Sequence, residues 1–166
     1  MGIAGAVEPT FRFAYRRSAD QDDVAMAHHP VVVVGAGPVG LSLAIDLAQR
    51  GVRVVLLDDA ERIGEGSRAI CFAKRTLEIF DRLGVGQGLV EKGVTWQRGR
   101  VFHGDRELYS FDLLPETGHR RPAFINIQQY YVEAALVERV GDLADLIDLR
   151  WANRVTGIAQ SGDGAT

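Results

Sequence analysis

Pro30-Val31-Val32-Val33-Val34-Gly35-Ala36-Gly37-Pro38-Val39-Gly40 opens a stretch that runs through an apolar segment to Val54-Val55-Leu56-Leu57-Asp58, and its reading decides the fold. Val31 to Val34 form an unbroken β-branched run, the pattern of a strand buried on both faces of a parallel sheet and central to its domain. Gly35 permits a tight turn out of that strand. Gly37 lets a pyrophosphate approach the backbone without meeting a Cβ, and Gly40 lets the next helix lie close on the sheet. That helix directs its unpaired N-terminal N–H groups and positive dipole end at the phosphate position, so anion binding requires no added lysine.

Working outward, Ser42, Asp46, Gln49 and Arg50 share one polar stripe, while Leu41, Leu43, Ala44, Ile45, Leu47 and Ala48 cover the rest. The helix is therefore expected to be mostly buried. Gly51 is placed to end it, and residues 52–57 supply a second parallel strand. Asp58 lies eighteen residues beyond Gly40. There a carboxylate accepts hydrogen bonds from both ribose hydroxyls of an adenosine, which argues against a ribose 2′-phosphate. Read as one unit, the stretch is a βαβ dinucleotide-binding motif; the alternative is an ordinary βαβ turn with incidental glycines.

A chain of 166 residues, 46% hydrophobic and 25% charged, is enough for one domain with a core. The net charge of -3 provides no basic footprint, so nucleic acid is not an expected partner. Cys71 is the only cysteine, which excludes an intrachain disulfide and fits a reducing compartment, the cytoplasm by default. No apolar run approaches a membrane span, and Glu8-Pro9 interrupts the N-terminus before any signal-peptide core.

Residues 1–28 read as an extension: Phe11, Phe13 and Tyr15 among Arg12, Arg16 and Arg17, then Asp20, Asp22 and Asp23. A partly ordered tail is expected there in preference to a short edge strand. His28-His29 read as a solvated strand entrance and not as metal ligands, and His103 and His119 are similarly isolated. Asp59 begins a polar loop beside the adenosine position, where ligand contacts are common. At its end Arg68 is either a fixed cation for phosphate or a flavin edge, or a surface arginine paired with Asp59 or Glu65.

Residues 73–83 predict a helix closed by Gly84. Residues 96–103 and 106–113 flank Gly104-Asp105, a pair suited to a tight hairpin turn. Tyr109, Phe111 and Leu113 alternate with Ser110 and Asp112, giving one apolar face that is assigned to the core ahead of an aromatic ligand. Residues 124–127 predict a strand running into a helix near Gln128, with Val132, Ala135, Leu136 and Val140 inward. Gln128 sits at that junction, where its amide can donate to and accept from a cofactor's phosphate or ribitol, or simply face water. Ile147, Leu149 and Trp151 alternate with Asp148 and Arg150. Residues 155–160 read as a strand followed by the turn Ser161-Gly162-Asp163-Gly164. Such a turn calls for a returning strand, so the chain is expected to be the N-terminal part of a longer protein.

Four stretches can now be taken together: Val33-Val34-Gly35-Ala36-Gly37-Pro38-Val39-Gly40-Leu41, Gly66-Ser67-Arg68-Ala69-Ile70, the helix ending Leu83-Gly84-Val85, and Ile127-Gln128-Gln129-Tyr130-Tyr131-Val132-Glu133. Their order and spacing resemble the FAD-dependent aromatic hydroxylases, the group containing p-hydroxybenzoate hydroxylase, and look most like its 3-(3-hydroxyphenyl)propionate hydroxylase-like members. The resemblance implies an α/β, Rossmann-like FAD-binding sheet with an inserted β-hairpin, here an incomplete domain. Residues 29–166 would be the N-terminal portion of that domain, with the hairpin at 94–114 directed toward the substrate region. It further implies that Gly35, Ala36, Gly37, Pro38 and Gly40 receive the pyrophosphate, Asp58 and the adjoining Asp59 the adenosine end, and Arg68 and Gln128 further parts of FAD. Asp58 departs from the family's usual Glu; the shorter side chain keeps both acceptor oxygens but must sit nearer the ribose. The implied reaction reduces FAD with NADH or NADPH and transfers one oxygen atom from O₂ to a small phenolic substrate. No catalytic side chain is assigned, and self-association into a homo-oligomer is left open. Two other readings compete: an NAD-binding dehydrogenase segment, favoured by Asp58, and a non-catalytic nucleotide-binding module.

Overall fold

The computed structural model describes residues 11–22, 27–64, 68–162 and 164–166. In chain order it forms β1 (Val32–Val34), α1 (Pro38–Gln49), β2 (Val54–Leu57), β3 (Cys71–Ala73), α2 (Lys74–Leu83), α3 (Gly86–Lys92) and β4 (Val94–Trp96). Then follow β5 (Arg98–His103), β6 (Arg106–Asp112), β7 (Phe124–Asn126), α4 (Gln129–Gly141), β8 (Ile147–Arg150), β9 (Gln160–Ser161) and β10 (Gly164–Ala165). These fall into two compact units, Met1–Gly64 with Val140–Thr166, and Glu65–Arg139.

In the first unit β1, β2 and β8 form a parallel sheet in that order, with Val33 opposite Leu56 and Leu56 opposite Leu149. Parallel neighbours require a crossover, and α1 supplies it between β1 and β2. Its inward face is Leu41, Ala44, Ile45 and Ala48, all buried, whereas Leu43 and Val39 are exposed. The helix is thus less enclosed than its apolar content predicts. It ends where expected: the N–H groups of Gly51 and Val52 donate to the Ala48 and Leu47 carbonyls, and Gly51 adopts the left-handed φ of 78° that such an ending favours.

The central strand of the described sheet is β2, not β1. Val54, Val55 and Leu56 are all buried, while in β1 only Val33 is, with Val32 50% and Val34 57% exposed. Among the described residues β1 pairs only with β2, so its outer faces lack the cover that an all-valine run anticipates. A second correction concerns residues 155–160. No strand forms before Gln160, and β9 and β10 are a two-residue hairpin continued by reciprocal hydrogen bonds between Ala159 and Thr166. Propensity alone does not hold an extended segment whose N–H and C=O groups have no neighbouring strand.

Within the N-terminal extension, residues 11–22 lie ordered against this unit. Arg12 forms an isolated antiparallel bridge with Arg62, and the Phe13 ring stacks on Trp151. His29, read as solvated, is half-buried, with Nε2 2.8 Å from the Asp20 carboxylate.

In the second unit β3, β7 and β4 form an antiparallel sheet in that order, Cys71 and Val94 both facing Asn126. α2 buries Leu77, Phe80 and Leu83 at helical spacing and stops at Gly84, whose φ is 91°. α3 was not anticipated; seven residues with two glycines carry little periodic signal. Its position depends on Asp81, which Arg121, itself buried, engages through two guanidinium nitrogens while a third donates to Gln87 at 3.0 Å. That guanidinium holds the Asp81 carboxyl below its ordinary range. The β5–β6 hairpin turns at Gly104-Asp105 as expected. Its apolar face does not join the core, since every residue of β6 is exposed. Alternation orients side chains to one face; burial requires a second layer over that face, and no described element supplies one.

Candidate nucleotide-binding site

Leaving β1, the chain turns at Gly35, whose φ of 102° disfavours a side chain and whose N–H donates to the Leu57 carbonyl at 2.7 Å. The next N–H, of buried Ala36, donates to Asp58 Oδ2 at 2.5 Å. Gly37 is the N-cap of α1 in extended conformation, no side chain caps the helix, and Pro38 opens it. A helix of twelve residues thus presents first-turn N–H groups without a protein cap.

The two glycines after Gly35 have opposite surroundings. A Cβ built on Gly37 meets nothing within 4 Å. One built on Gly40 would lie 1.9 Å from the Gly35 carbonyl oxygen and 3.4 Å from Val33 Cγ1. Gly40 therefore allows the helix to close on the strand, and Gly37 leaves open the space in front of the helix terminus. These residues fit a diphosphate: a bare backbone, uncapped N–H groups, a favourable dipole and room for the ligand.

Asp58 is half-buried at the tip of β2. Besides Ala36, its carboxylate accepts from Ala60 N–H through Oδ1 at 2.8 Å. Its backbone is fixed as well, its N–H donating to Arg150 O at 3.1 Å and its C=O accepting from Asn153 N–H at 2.8 Å. Sequence reasoning placed Asp58 at the ribose and missed its bond to the glycine turn. The available signal was its length, since an Asp in place of Glu keeps its carboxylate close to its own strand end. Each oxygen retains a second lone pair for a hydroxyl donor. Asp59 is exposed and faces Arg154 at 4.0 Å. Glu65, the other proposed partner of Arg68, lies outside the described residues, as do Gly66 and Ser67.

Arg68 and Gln128 belong to the second unit. Ile127 N–H donates to Ile70 O at 2.8 Å, extending the β3–β7 ladder by a residue pair. Arg68 leads into this ladder and Gln128 leaves it, so antiparallel pairing brings both, exposed, to one end of the sheet. Gln128 O accepts from Tyr131 N–H at 3.1 Å, making the first turn into α4.

Residues 28–166 match the family model described as "FAD binding domain". The chain belongs to this family. Among curated proteins it is 30% identical over 141 residues to a flavin-dependent monooxygenase of Mycobacteroides abscessus, covering 80% of this chain and 29% of that protein. It is also 30% identical over 136 residues to a 3-(3-hydroxy-phenyl)propionate/3-hydroxycinnamic acid hydroxylase of Mycolicibacterium smegmatis, covering 82% and 24%. Among solved structures it is similar to p-nitrophenol 4-monooxygenase of Pseudomonas putida, with a TM-score of 0.72 and 28% identity over 83% of this chain and 38% of that one. The chain thus spans about a quarter to two fifths of these relatives. The motif resemblance to FAD-dependent aromatic hydroxylases is borne out by the family and by these relatives. No helix among the described residues of this FAD-binding chain is long and apolar enough to cross a membrane.

Proposed function

We propose that this chain is the FAD-binding portion of a flavoprotein monooxygenase that hydroxylates a small phenolic substrate with NADH or NADPH and O₂. The observation that carries the reading is the uncapped N-terminus of α1 behind the open space at Gly37, in a member of an FAD-binding family. Gly35, Ala36, Gly37, Pro38 and Gly40 would hold the diphosphate, Asp58 with Asp59 the adenosine ribose end, and Arg68 and Gln128 further parts of the cofactor. Bound FAD supplies the redox chemistry and oxygen activation; the chain binds and orients it. The exposed aromatic side chains of β6 are assigned to the substrate region.

Asp58 also suits the ribose of NAD, which keeps an NAD-dependent dehydrogenase as the second reading. Titration of the full chain with FAD and with NAD, followed by flavin absorbance and intrinsic fluorescence, separates the two. FAD should bind the more tightly. Tighter NAD binding selects the dehydrogenase, and binding of neither overturns both.

A further inference from the structure

We propose that residues 11–22 form a clasp that positions Asp58 for the nucleotide, an inference that rests on the reading of the glycine turn above. The family match begins at residue 28, so this segment lies outside the part that resemblance explains.

The clasp grips the unit at three places. Phe13 N–H donates to Glu61 O at 2.7 Å and Ile63 N–H donates to Phe11 O at 3.2 Å, binding the loop that follows Asp58. The Phe13 ring stacks on Trp151 with centroids 4.6 Å apart and planes 6° from parallel, and Trp151 is buried. Such stacking adds to the stabilisation that burial of the two rings alone supplies. At the third place Asp20 accepts from Arg150 Nη1 at 2.6 Å, and Ser18 Oγ lies 3.1 Å from the same nitrogen. Arg150 is buried, its remaining nitrogens engaging Asp148.

Arg150 and Trp151 are not arbitrary anchors. The Arg150 carbonyl accepts from Asp58 N–H. Three residues on, Asn153 N–H reaches the Asp58 carbonyl. Between them Ala152 is held at φ 56°, a left-handed conformation unfavourable for alanine, with its N–H on Ala60 O at 2.9 Å. A residue kept in that conformation needs its surroundings to hold it. The clasp covers the residue before it and engages the loop opposite. Asp58 is consequently clamped through its backbone by β8 and the segment after it, and through its carboxylate to Ala36 of the turn and Ala60 of the loop. Fixing an acceptor in advance lowers the ordering cost of binding.

The test compares the full chain with Phe13→Ala, Asp20→Asn and a deletion of residues 1–22. The probes are ADP and 2′,3′-dideoxy-ADP, measured by calorimetry, together with amide exchange at Ala36, Ala60 and Ile63. The intact chain should prefer ADP. Loss of the clasp should reduce that preference about tenfold and speed exchange at all three amides, with Phe13→Leu restoring part of both. An unchanged preference, whether or not the melting temperature falls, overturns the clasp as a positioning element and leaves it a structural one. Should the deletion fail to fold, the point variants decide. If the intact chain binds neither ADP nor FAD, the nucleotide reading fails and this use of the clasp with it. If it binds ADP with no preference over the dideoxy analogue, the assignment of Asp58 fails while the glycine turn stands.

Discussion

The turn at residues 35–40 and the hairpin at residues 98–112 each contain a glycine that a neighbour crowds. At Gly40 the crowding atom is the carbonyl oxygen of Gly35, 1.9 Å from an added Cβ, and at Gly99 it is the ring edge of Phe111, 2.1 Å away. The first obstacle is backbone locked between a strand and the helix it feeds. The second is the end of a side chain that is 39% exposed. Similar distances therefore mean different things, because only the exposed ring has somewhere to go. One region stores its specificity in the main chain, and the other displays movable aromatic groups on an uncovered surface.

The sharpest way to break this contrast is Gly40→Ala. The added methyl group should force α1 away from β1 and destabilise the chain by about 3 kcal/mol, measured by urea unfolding. Unchanged stability would mean that the helix does not need its close seat on the strand. Next in size is Asp81→Asn in the second unit, expected to cost about 2 kcal/mol by weakening charge-assisted bonds to buried Arg121. Asp81 titrates below its ordinary range, chiefly through the hydrogen bond from Arg121. A carboxyl lowered in the folded state contributes stability that is fully present above its unfolded value, about pH 4, and is lost as pH falls through the folded value. The wild-type chain should thus lose stability progressively below about pH 4, and Asp81→Asn should flatten that acid limb. Asp20, lowered chiefly by Arg150 and then by His29, adds to the same limb in the first unit.

Gly37→Ala turns from stability to ligand. Gly37 has an ordinary extended φ of -76° and open space around it, so the fold should lose no more than about 1 kcal/mol, the order of an N-cap change. The methyl group would nevertheless occupy the position proposed for the diphosphate, and FAD affinity should fall about tenfold or more. Retained affinity with the fold intact would move the cofactor away from this turn.

How far each region was legible in the sequence follows from where its constraints lie. The turn was readable because steric needs of backbone write themselves as glycines: Gly35 takes a positive φ, Gly40 a close approach, and Gly51 and Gly84 end their helices. The periodicity of α2 was readable for the same kind of local reason. What the sequence did not reveal depends on partners far along the chain. Val31 to Val34 promised a central strand, but centrality is decided by strands that pair with it, and β2 holds that place here. Arg150 alternated like a surface residue yet is buried, because Asp20, 130 positions earlier, neutralises it. Phe13 read as part of a partly ordered tail, and nothing in the sequence pointed to Trp151 as the ring it stacks on. In the candidate site the strand–turn–helix placement of the glycines, and of Asp58 at the end of β2, was legible from spacing. The bond from Ala36 N–H to Asp58 was not, since a side chain's choice between ligand and backbone leaves no periodic mark.

The smallest expected effect completes the contrast. Gly99→Ala puts a methyl group into the same kind of geometric conflict as Gly40→Ala, but Phe111 lies on a strand exposed throughout and can rotate into solvent. Against the lost ring contact stands the entropy that alanine removes from the unfolded chain, about 0.4–1 kcal/mol where its backbone conformation is allowed. The two nearly cancel, so unfolding should shift by less than about 0.5 kcal/mol in either direction. A cost comparable to that of Gly40→Ala would mean that Phe111 is held in place by something covering the hairpin in the intact protein. The ring would then belong to a packed layer and not to an open surface.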